Sequence, residues 1–332
     1  EADPPAPQRF SYTLYDDLGR VYEAGELTDG DGADAFRNVP GMVVGGLFKP
    51  DVLDPDTLKA WVLTRPRREV TRTWYDEPLS GLALPSGFTQ RHLRLRVATT
   101  TFEEVDDGDS LTYDHATHYS YDIHGNVADM LQEHPQLAAD ADMGCPGCAW
   151  HRFKRIRYEY DLISGNVKKV SYQPGRPDQF HHRYSYDADN RITKVQTSAD
   201  NVTWYTDADY FYYPHGPLQR VELGQHKVQG VDYAYTLQGW LKGINSDRLV
   251  PENDMGLDGM DDVANANRLI GRDAFGFSLN YFGDTDYQAI DATRWDNTTG
   301  TRPFAPMGTT GTLAGAHHPL YNGNIAHTTS SL

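Results

Sequence analysis

The sequence predicts an all-β protein whose antiparallel hairpins follow one another as a repeating ribbon. Three observations predict this class. The stretch YSYDIHGNV, residues 119–127, alternates aromatic and polar residues and then breaks at a glycine. The same spacing of an aromatic, a small and an aliphatic residue recurs along the chain. Tyrosine accounts for 21 of the 332 residues, whereas helical periodicity is weak. Strands joined by tight turns are therefore favoured over helices.

The stretch 119–127 is typical of one hairpin. Tyr119 and Tyr121 are two positions apart and face the same side of a strand. Asp122 fits the first position of a type I turn, where its carboxylate accepts the backbone N–H two residues on. Gly125 fits the position with positive φ, and Val127 opens the return strand. The segment is predicted to be strand, turn, strand.

An aromatic residue, a small residue at +4 and an aliphatic residue at +6 define the repeat. Further copies are Tyr15, Gly19 and Val21; Tyr186, Asn190 and Ile192; Tyr212, Gly216 and Leu218; and Tyr235, Gly239 and Leu241. Asn is the best substitute for Gly in a left-handed turn. Leading tyrosines some twenty to forty positions apart suit stacked hairpins that bury a face only against their neighbours.

The copies vary in three ways. Asp follows the tyrosine at Asp122, Asp161 and Asp187, whereas the copies at Tyr212 and Tyr235 lack it. The Tyr160 copy has one extra turn residue, which moves Gly165 and Val167 together to +5 and +7. LYNGNI, with Tyr321, Gly323 and Ile325, is a possible shortened copy. The tyrosines at 121, 160, 186, 212 and 235 are expected to form a structural ladder on one face.

The chain resembles the RHS-repeat, or YD-repeat, family. The resemblance runs from about Phe10 to the end and rests on YTLYDDLGRV, YDHATHYSYDIHGNV, YEYDLISGNVKKV, YSYDADNRI, DAFGFSLNYF and LYNGNI. These segments are similar to the large secreted members found in Bacteroidetes. The family implies a β-ribbon that spirals into a hollow shell lined by tyrosines. In bacterial toxins of the family the shell encloses a C-terminal effector, and related shells occur in toxin-complex subunits and teneurins.

The resemblance implies a non-catalytic shell segment that encapsulates or presents a downstream effector of a polymorphic toxin. Its partners would be that effector domain of the same chain, or shell-capping segments. The alternative is an extracellular adhesion module that binds glycan or protein through exposed aromatics such as Trp74, Trp204, Trp240 and Trp295. A hydrolase is a third and less favoured alternative, because the sequence has no nucleophile motif and no phosphate loop. The carboxylate pairs Asp207 with Asp209 and Glu103 with Glu104 lack an indicated partner base.

Charge and hydropathy narrow the class of partner. The net charge of −17 argues against nucleic acid, whose phosphates need dense Lys and Arg. The basic stretch HRFKRIRYEY alternates charges with Phe153, Ile156 and Tyr158, so we interpret it as a solvated strand face. No apolar run reaches the length of a membrane helix, and no membrane insertion is expected. The start at Glu1 instead of Met favours a trimmed segment of a larger polypeptide, and the family resemblance implies that this polypeptide is secreted or lies at the cell surface.

Four segments are predicted along the chain. Residues 1–9 are a Pro-rich lead-in, 10–110 an N-terminal RHS-type β segment with strands in REVTRTWYDEP and RHLRLRVATTTFEEV, 111–247 the dense YD-repeat block, and 248–332 an insertion loop followed by continuing shell. FGFSLNYF in the last segment is predicted to be a strand. Short helices are possible in PDTLKAWVL and MDDVANANRLIG.

No cofactor or metal is predicted, although two acidic stretches contain oxygen ligands. These are DGDGAD, with Asp29, Asp31 and Asp34, and NDMGLDGMDD, with Asp254, Asp258, Asp261 and Asp262. Neither has the EF-hand spacing, and acidic turns alone explain them. The histidines at 115 and 118, 181 and 182, and 317 and 318 are expected to be hydrogen-bonding shell residues, because i and i+3 lie on opposite strand faces.

Cys145 and Cys148 are the only cysteines, in MGCPGCAWH. The C-x-x-C spacing suits a small disulfide loop, free thiols or half of a zinc site, and spacing alone does not decide. Zinc would need His151 and one of His115, His118 or His182 as further ligands. The secreted character of the family favours a disulfide, in which so short a ring adds little stability.

Overall fold

The structure, a computed structural model, describes residues 9–28, 43–44, 47–48, 55–139, 151–283, 286–289, 302–304 and 319–332. The strands in this part of the chain are β1 (Arg9–Tyr15), β2 (Val21–Thr28), β3 (Val43–Val44), β4 (Leu47–Phe48), β5 (Arg67–Tyr75), β6 (Val97–Val105), β7 (His115–Tyr121), β8 (Val127–Glu133), β9 (Phe153–Tyr160), β10 (Val167–Tyr172), β11 (Phe180–Tyr186), β12 (Ile192–Ser198), β13 (Tyr205–Tyr212), β14 (Leu218–Leu223), β15 (Gln229–Tyr235), β16 (Leu241–Ile244), β17 (Gly276–Asn280) and β18 (His327–Ser331). The helices are α1 (Pro55–Leu63), α2 (Gln136–Ala139) and a 3-10 turn (Pro251–Asn253).

The chain divides into two compact units, residues 1–159 with 170–179, and residues 160–169 with 180–332. In the first unit, strands β1, β2, β5, β6, β7, β8 and β9 are neighbours in that order, and each pair is antiparallel. In the second unit, β11 to β18 follow one another in sequence order, again antiparallel. The predicted all-β hairpin fold is confirmed.

Each hairpin with a short turn has the same register. The aromatic residue at position 0 is the Cα partner of the aliphatic residue at +6, and the register shifts beside that tyrosine, as a turn with a bulge requires. The pairs are Tyr15 with Val21, Tyr121 with Val127, Tyr186 with Ile192, Tyr212 with Leu218, and Tyr235 with Leu241. The earlier aromatic residue also pairs across the hairpin, as in Tyr119 with Met130 and Tyr184 with Val195.

The turn residues have the backbone that the sequence predicts. Positive φ occurs at Gly19 (76°), Gly125 (98°), Gly165 (75°), Asn190 (62°), Gly216 (119°) and Gly239 (83°). In each turn the N–H of this residue donates to the carbonyl oxygen of the residue directly after the leading tyrosine. The small residue of the repeat therefore marks the position of each turn that requires positive φ.

One of the two possible helices forms. Helix α1 occupies the PDTLKAWVL segment and packs its Val62 against Leu14 and Leu27 of the first hairpin. The MDDVANANRLIG segment is not helical, so that expectation is wrong. Asp262 and Asn265 accept backbone N–H groups two residues on, and the Asn265 amide also donates to two carbonyl oxygens. Such local bonds compete with helix formation.

Buried strand positions are largely polar. The fully buried side chains include His118, His181, Glu133, Thr99, Asn245 and Asn280. Because a buried polar group is costly unless it is hydrogen-bonded, these side chains require specific hydrogen-bond partners from neighbouring segments. No helix among the described residues has the length and apolar character for crossing a membrane.

Candidate functional site

The repeat tyrosines connect each hairpin to the one before it. Tyr186 donates its hydroxyl to the carbonyl oxygen of Val167 at 2.8 Å, and Val167 is the first residue of the preceding return strand. Equivalent bonds of 2.8 Å are Tyr75 to Val21, Tyr121 to Val97, Tyr212 to Ile192, and Tyr281 to Leu241. We call these five bonds the tyrosine latches. Each acceptor is the first residue of a return strand.

Some ring contacts of the repeat tyrosines lie along single strands. Tyr119 and Tyr121 are stacked with centroids 6.4 Å apart, and His182 stacks on Tyr184 at the same distance. Residues two apart on a strand share a face, so these contacts order one face of a hairpin. The link between hairpins is the hydroxyl hydrogen bond, which the sequence did not reveal because its acceptor is a backbone atom.

The aspartate after the tyrosine closes the turn. Asp122 Oδ1 accepts the N–H groups of His124, Gly125 and Asn126 at 2.8–2.9 Å. Burial raises the pKa of Asp122, but the hydrogen bonds from Asn126 and its neighbours outweigh it and hold that pKa below its ordinary value. Asp16 and Asp187 accept the N–H groups two and four residues on in the same way and add a contact to the side chain of an arginine four residues on. Their carboxylates therefore serve the turn.

The copies without aspartate keep the turn by other means. In the hairpin β15–β16, Thr236 replaces the aspartate, and its Oγ1 accepts the N–H of Trp240 at 3.2 Å. In the hairpin β13–β14, Tyr213 takes this position and donates its hydroxyl to the carbonyl of Tyr233 at 2.8 Å. The Thr236 hydroxyl thus substitutes for one function of the carboxylate, whereas the Tyr213 hydroxyl binds the backbone of strand β15.

Two copies of the repeat carry long insertions that sequence spacing did not reveal. Tyr75 and Val97 pair as the ends of strands β5 and β6, with a 21-residue connection between them. Asp76 still occupies the position after the tyrosine and accepts the N–H of Leu95 at 2.5 Å. Tyr281 follows β17, and its partner strand β18 begins only at His327. A search with a fixed +6 spacing misses both copies.

A buried ion network joins strands β2, β5 and β6. Arg72 donates to Glu23 at 3.0 Å, to Glu103 at 3.0 Å and to Asp106 at 2.5 Å. Arg67 pairs with Glu23 at 2.6 Å and also contacts Asp106. All five side chains are at most 10% exposed. Burial lowers the pKa of Arg72, but the facing carboxylates outweigh it and raise that pKa above its usual value.

A second buried network has the order of a nucleophile, a base and an acid. Thr99 Oγ1 lies 3.0 Å from His118 Nδ1, and His118 Nε2 lies 3.0 Å from Glu133 Oε2. Tyr113 and Arg152 also donate to Glu133. Burial raises the pKa of Glu133, but the three donors outweigh it and lower that pKa. Thr99 and His118 have no exposed surface, so a substrate cannot reach this threonine.

A third buried network surrounds Arg220 on β14. Its guanidinium donates to Asp232 at 2.5 Å and to Asp258 at 2.6 Å, and its Nε lies 3.3 Å from Glu222. Burial raises the pKa of Asp232 to about 6 despite the arginine. Burial, together with the negative charge of the neighbouring carboxylates, raises the pKa of Asp273 to about 8. We call Asp232, Asp254 and Asp258, with Arg220, the acidic cluster.

A pocket of about 590 Å³ opens beside this network in the second unit. Its walls carry the aromatic rings of Tyr213, Tyr235 and Tyr287, and polar groups of His215 and Gln219. Tyr213 and Tyr235 meet edge to face, with centroids 6.4 Å apart. A pocket lined by both aromatic rings and polar side chains has the composition of a site for a small polar ligand.

The remaining predicted residues are distributed as follows. Of the tryptophans named as binding candidates, Trp74, Trp204 and Trp240 lie among the described residues and are half-buried. Asp207 accepts from Thr197, Asp209 pairs with Lys194, and Glu104 is exposed whereas Glu103 is buried. Tyr321 is exposed and stacks on Phe282 with ring centroids 5.2 Å apart. It does not end a strand of its own hairpin, so the prediction that LYNGNI forms a shortened hairpin copy is wrong. Cys145, Cys148, Asp29, Asp31, Asp34, Trp295, His317 and His318 lie outside the described residues.

Comparisons with known proteins give structural neighbours only. No family model and no curated protein matches the chain. A porin-like protein from Bacteroides uniformis is 8% identical, with a TM-score of 0.28, over 74% of this chain and 85% of that one. A complex of TcdB2, TccC3 and Cdc42 is 11% identical, with a TM-score of 0.30, over 82% of this chain. The Tc holotoxin pore of Photorhabdus luminescens with a TccC3 mutation is 11% identical, with a TM-score of 0.29, over 82%. The chain spans 14% and 13% of the last two.

Proposed function

We propose that this chain is a non-catalytic structural segment of a secreted RHS-repeat protein, whose hairpins form part of a shell that encapsulates or presents an effector of the same polypeptide. The tyrosine latches carry this proposal. In five places the hydroxyl of a repeat tyrosine is used to bind the backbone of the preceding hairpin. A repeat array is stabilised by such contacts between neighbours, so these tyrosines have a structural use.

The polar side chains support a scaffold in the same way. The ion network around Arg72 and the network around His118 are buried and internally paired. Catalysis would need a reactive group within reach of a substrate, and Thr99 has no exposed surface. We therefore propose that the chain itself is not an enzyme, and that any activity belongs to another part of the polypeptide.

Limited proteolysis of the full-length protein tests the shell. The polypeptide that follows this chain should resist protease while the hairpins are intact. Tyr186→Ala removes one latch and one ring, and it should make that polypeptide cleavable at a temperature at which the wild type protects it. Ile163→Ala is the matched control, because Ile163 is 98% exposed. Rapid cleavage of that polypeptide in the wild type, while the hairpins remain folded, would exclude encapsulation.

The pocket lined by Tyr213, Tyr235 and Tyr287 favours a second candidate, an extracellular module that binds a glycan or a small polar ligand. Aromatic rings stack on apolar ligand faces, and His215 and Gln219 supply hydrogen bonds. A glycan array with the wild type and Tyr287→Ala separates the candidates. Binding that Tyr287→Ala abolishes would favour the module, and an array without binding would leave the shell as the function.

A further inference from the structure

The long connection between strands β5 and β6 folds onto the end of strand β7. The Gln90 side chain in this connection donates to the carbonyl oxygen of Tyr119 at 3.2 Å. The backbone N–H of Arg91 donates to Ser120 Oγ at 3.0 Å, and the carbonyl oxygen of Arg91 accepts the N–H of Tyr121 at 3.1 Å. The inserted residues, which interrupt the fixed spacing of the repeat, are therefore held at one defined place on the sheet.

A pocket of about 520 Å³ opens where this connection meets the next hairpin and strand β9. The charged side chains in its walls are three arginines and two aspartates, namely Arg91, Arg155, Arg157, Asp122 and Asp129. The volume lies within the range of small-ligand sites. Because the whole chain has a net charge of −17, a pocket in which cations outnumber anions is a local exception.

Both aspartates of the pocket already have donors. Asp122 Oδ1 accepts three backbone N–H groups of its own turn, and Asp122 Oδ2 accepts the side-chain amide of Asn126. Asp129 is bound by two nitrogens of Arg155, with Nε donating to Oδ1 at 2.8 Å and Nη2 donating to Oδ2. The nearest nitrogen of Arg157 lies 3.7 Å from Asp129, which is beyond hydrogen-bond distance.

The arginines of the pocket, in contrast, keep N–H groups without an acceptor in the described chain. The guanidinium of Arg91 makes no hydrogen bond or ion pair with a described residue, because only its backbone is used. Arg155 binds Asp129 through Nε and Nη2, which leaves Nη1. The planar guanidinium matches the oxygens of carboxylate, sulfate and phosphate groups. Three such groups in one pocket therefore favour an anionic ligand.

The strand register places these donors on one face of the sheet. Ser120 is the Cα partner of Asp129, and Asp129 is the Cα partner of Arg157. Side chains of directly opposite residues share a face, and Arg155 is two positions from Arg157 on the same strand. The hydroxyl of Ser120 on this face binds the backbone N–H of Arg91. Arg91 is thus fixed over the face that carries the other two arginines.

Arginines elsewhere in the first unit have carboxylate partners. Arg72 donates to three carboxylates, and Arg20 donates to Asp16 and Asp76. Their charge is neutralised within the fold. The side chains of Arg91 and Arg157 form no hydrogen bond within the described chain, so a structural role does not explain why they meet at this pocket.

We propose that Arg91, Arg155 and Arg157 form a binding site for the anionic group of a sugar-sized ligand, which is a carboxylate, a sulfate or a phosphate. Arg91 and Arg157 donate from either side, and Arg155, held by Asp129, donates through Nη1. The pocket exceeds the size of one such group, and Thr89 lines the remaining space and supplies a hydroxyl for the body of the ligand. The pocket beside Arg220 is lined by other residues, in the second unit.

Titrations of the whole chain by saturation-transfer-difference NMR test the site and distinguish the anions. Glucuronate, glucose 6-sulfate and glucose 6-phosphate are the three probes, and uncharged glucose is their matched control. At least one acidic sugar should bind, and glucose should not. Arg91→Ala and Arg157→Ala should each raise its dissociation constant at least about tenfold, the loss expected for hydrogen bonds to a charged group. Arg94→Ala removes the same charge from an exposed position of the same connection, outside the pocket, and should bind as the wild type does.

Thermal unfolding separates a binding role from a structural one. Arg91→Ala keeps the backbone bonds of this residue to strand β7, so without ligand it should unfold at the wild-type temperature. Acidic sugar should raise the unfolding temperature of the wild type and leave that of Arg91→Ala unchanged. If Arg91→Ala does not fold, Arg157→Ala makes the same comparison. A wild type that binds none of the acidic sugars, or binds glucose equally well, would overturn the proposal, as would wild-type affinity in both variants.

Discussion

The hydroxyl of Tyr186 lies 2.8 Å from the carbonyl oxygen of Val167 and donates a hydrogen bond to it. Tyr186 ends strand β11, and Val167 begins strand β10 after the previous turn. The leading tyrosine of one copy thus binds the residue that opens the return strand of the copy before it. Because the same relation holds at four other tyrosines, the repeat contains its own connection between neighbours.

Alanine substitutions at two turn glycines should differ in cost. Gly125 and Gly165 both have positive φ, so Ala at either position costs about 1–2 kcal/mol of backbone strain. A Cβ at Gly125 also lies 2.6 Å from Arg96 Nη2, whereas a Cβ at Gly165 meets nothing within 4 Å. Displacing Arg96 breaks its hydrogen bond to His92 and its contact with the Tyr121 ring. Gly125→Ala should therefore unfold at lower urea concentration, and equal midpoints would contradict the extra cost of displacing Arg96.

The turn aspartates should produce a loss of stability in acid. The backbone N–H of Arg191, together with its side chain, holds the pKa of Asp187 below its ordinary value. A carboxylate with a lowered pKa in the folded state stabilises it above the unfolded pKa, near 3.9, and loses this effect as pH falls through the folded value. Wild type should lose stability below about pH 4. Asp187→Asn should be less stable at pH 7 and show a flatter profile.

Denaturant unfolding between pH 7 and pH 2 measures this prediction. Asp189→Asn is the control, because Asp189 is 74% exposed at the tip of the same turn. It should follow the wild-type profile. Parallel profiles for wild type and Asp187→Asn would show that the carboxylate of Asp187 does not stabilise the turn.

Loss of Arg72 should be among the most destabilising changes in the first unit. It leaves Glu23, Glu103 and Asp106 buried around a missing cation, and breaking one side of a buried ion network costs about 3–5 kcal/mol. Arg72→Met keeps most of the side-chain volume. Arg68→Met removes an exposed pair with Glu104 at 3.5 Å and should cost less than about 1 kcal/mol. Calorimetry of the two variants gives the comparison, and similar unfolding temperatures would contradict it.

The turns were predictable because each depends on residues close in sequence. Positive φ at the +4 residue and an aspartate that accepts nearby N–H groups both belong to a window of about six residues. The extra residue in the Tyr160 copy shifted Gly165 and Val167 together, and the structure has positive φ at Gly165 and begins strand β10 at Val167. The strand pairing was predictable as well, because strands in consecutive hairpins have few alternative neighbours.

The contacts between distant residues were not predictable in this way. The hairpin of Tyr75 escaped notice because its insertion removes the fixed spacing. Asp254 and Asp258 were identified as acidic turn residues, but Asp232 lies more than twenty positions earlier, on strand β15, where the repeat motif does not include it. Their meeting depends on where the loop returns to the sheet. One signal was present, since a glycine at 256 separates two aspartates, although it does not identify the third.

The central claim is that the repeat tyrosines stabilise the fold through their hydroxyls, and a Tyr→Phe series tests it most directly. Urea unfolding of the single variants at Tyr75, Tyr121, Tyr186, Tyr212 and Tyr281 should show losses of about 0.5–1.5 kcal/mol each, the contribution of one hydrogen bond. Tyr15→Phe is the control, because Tyr15 leads the first hairpin and is 59% exposed. It should leave stability unchanged. Losses within error at all five latch positions, or a loss at Tyr15 as large as theirs, would contradict the account.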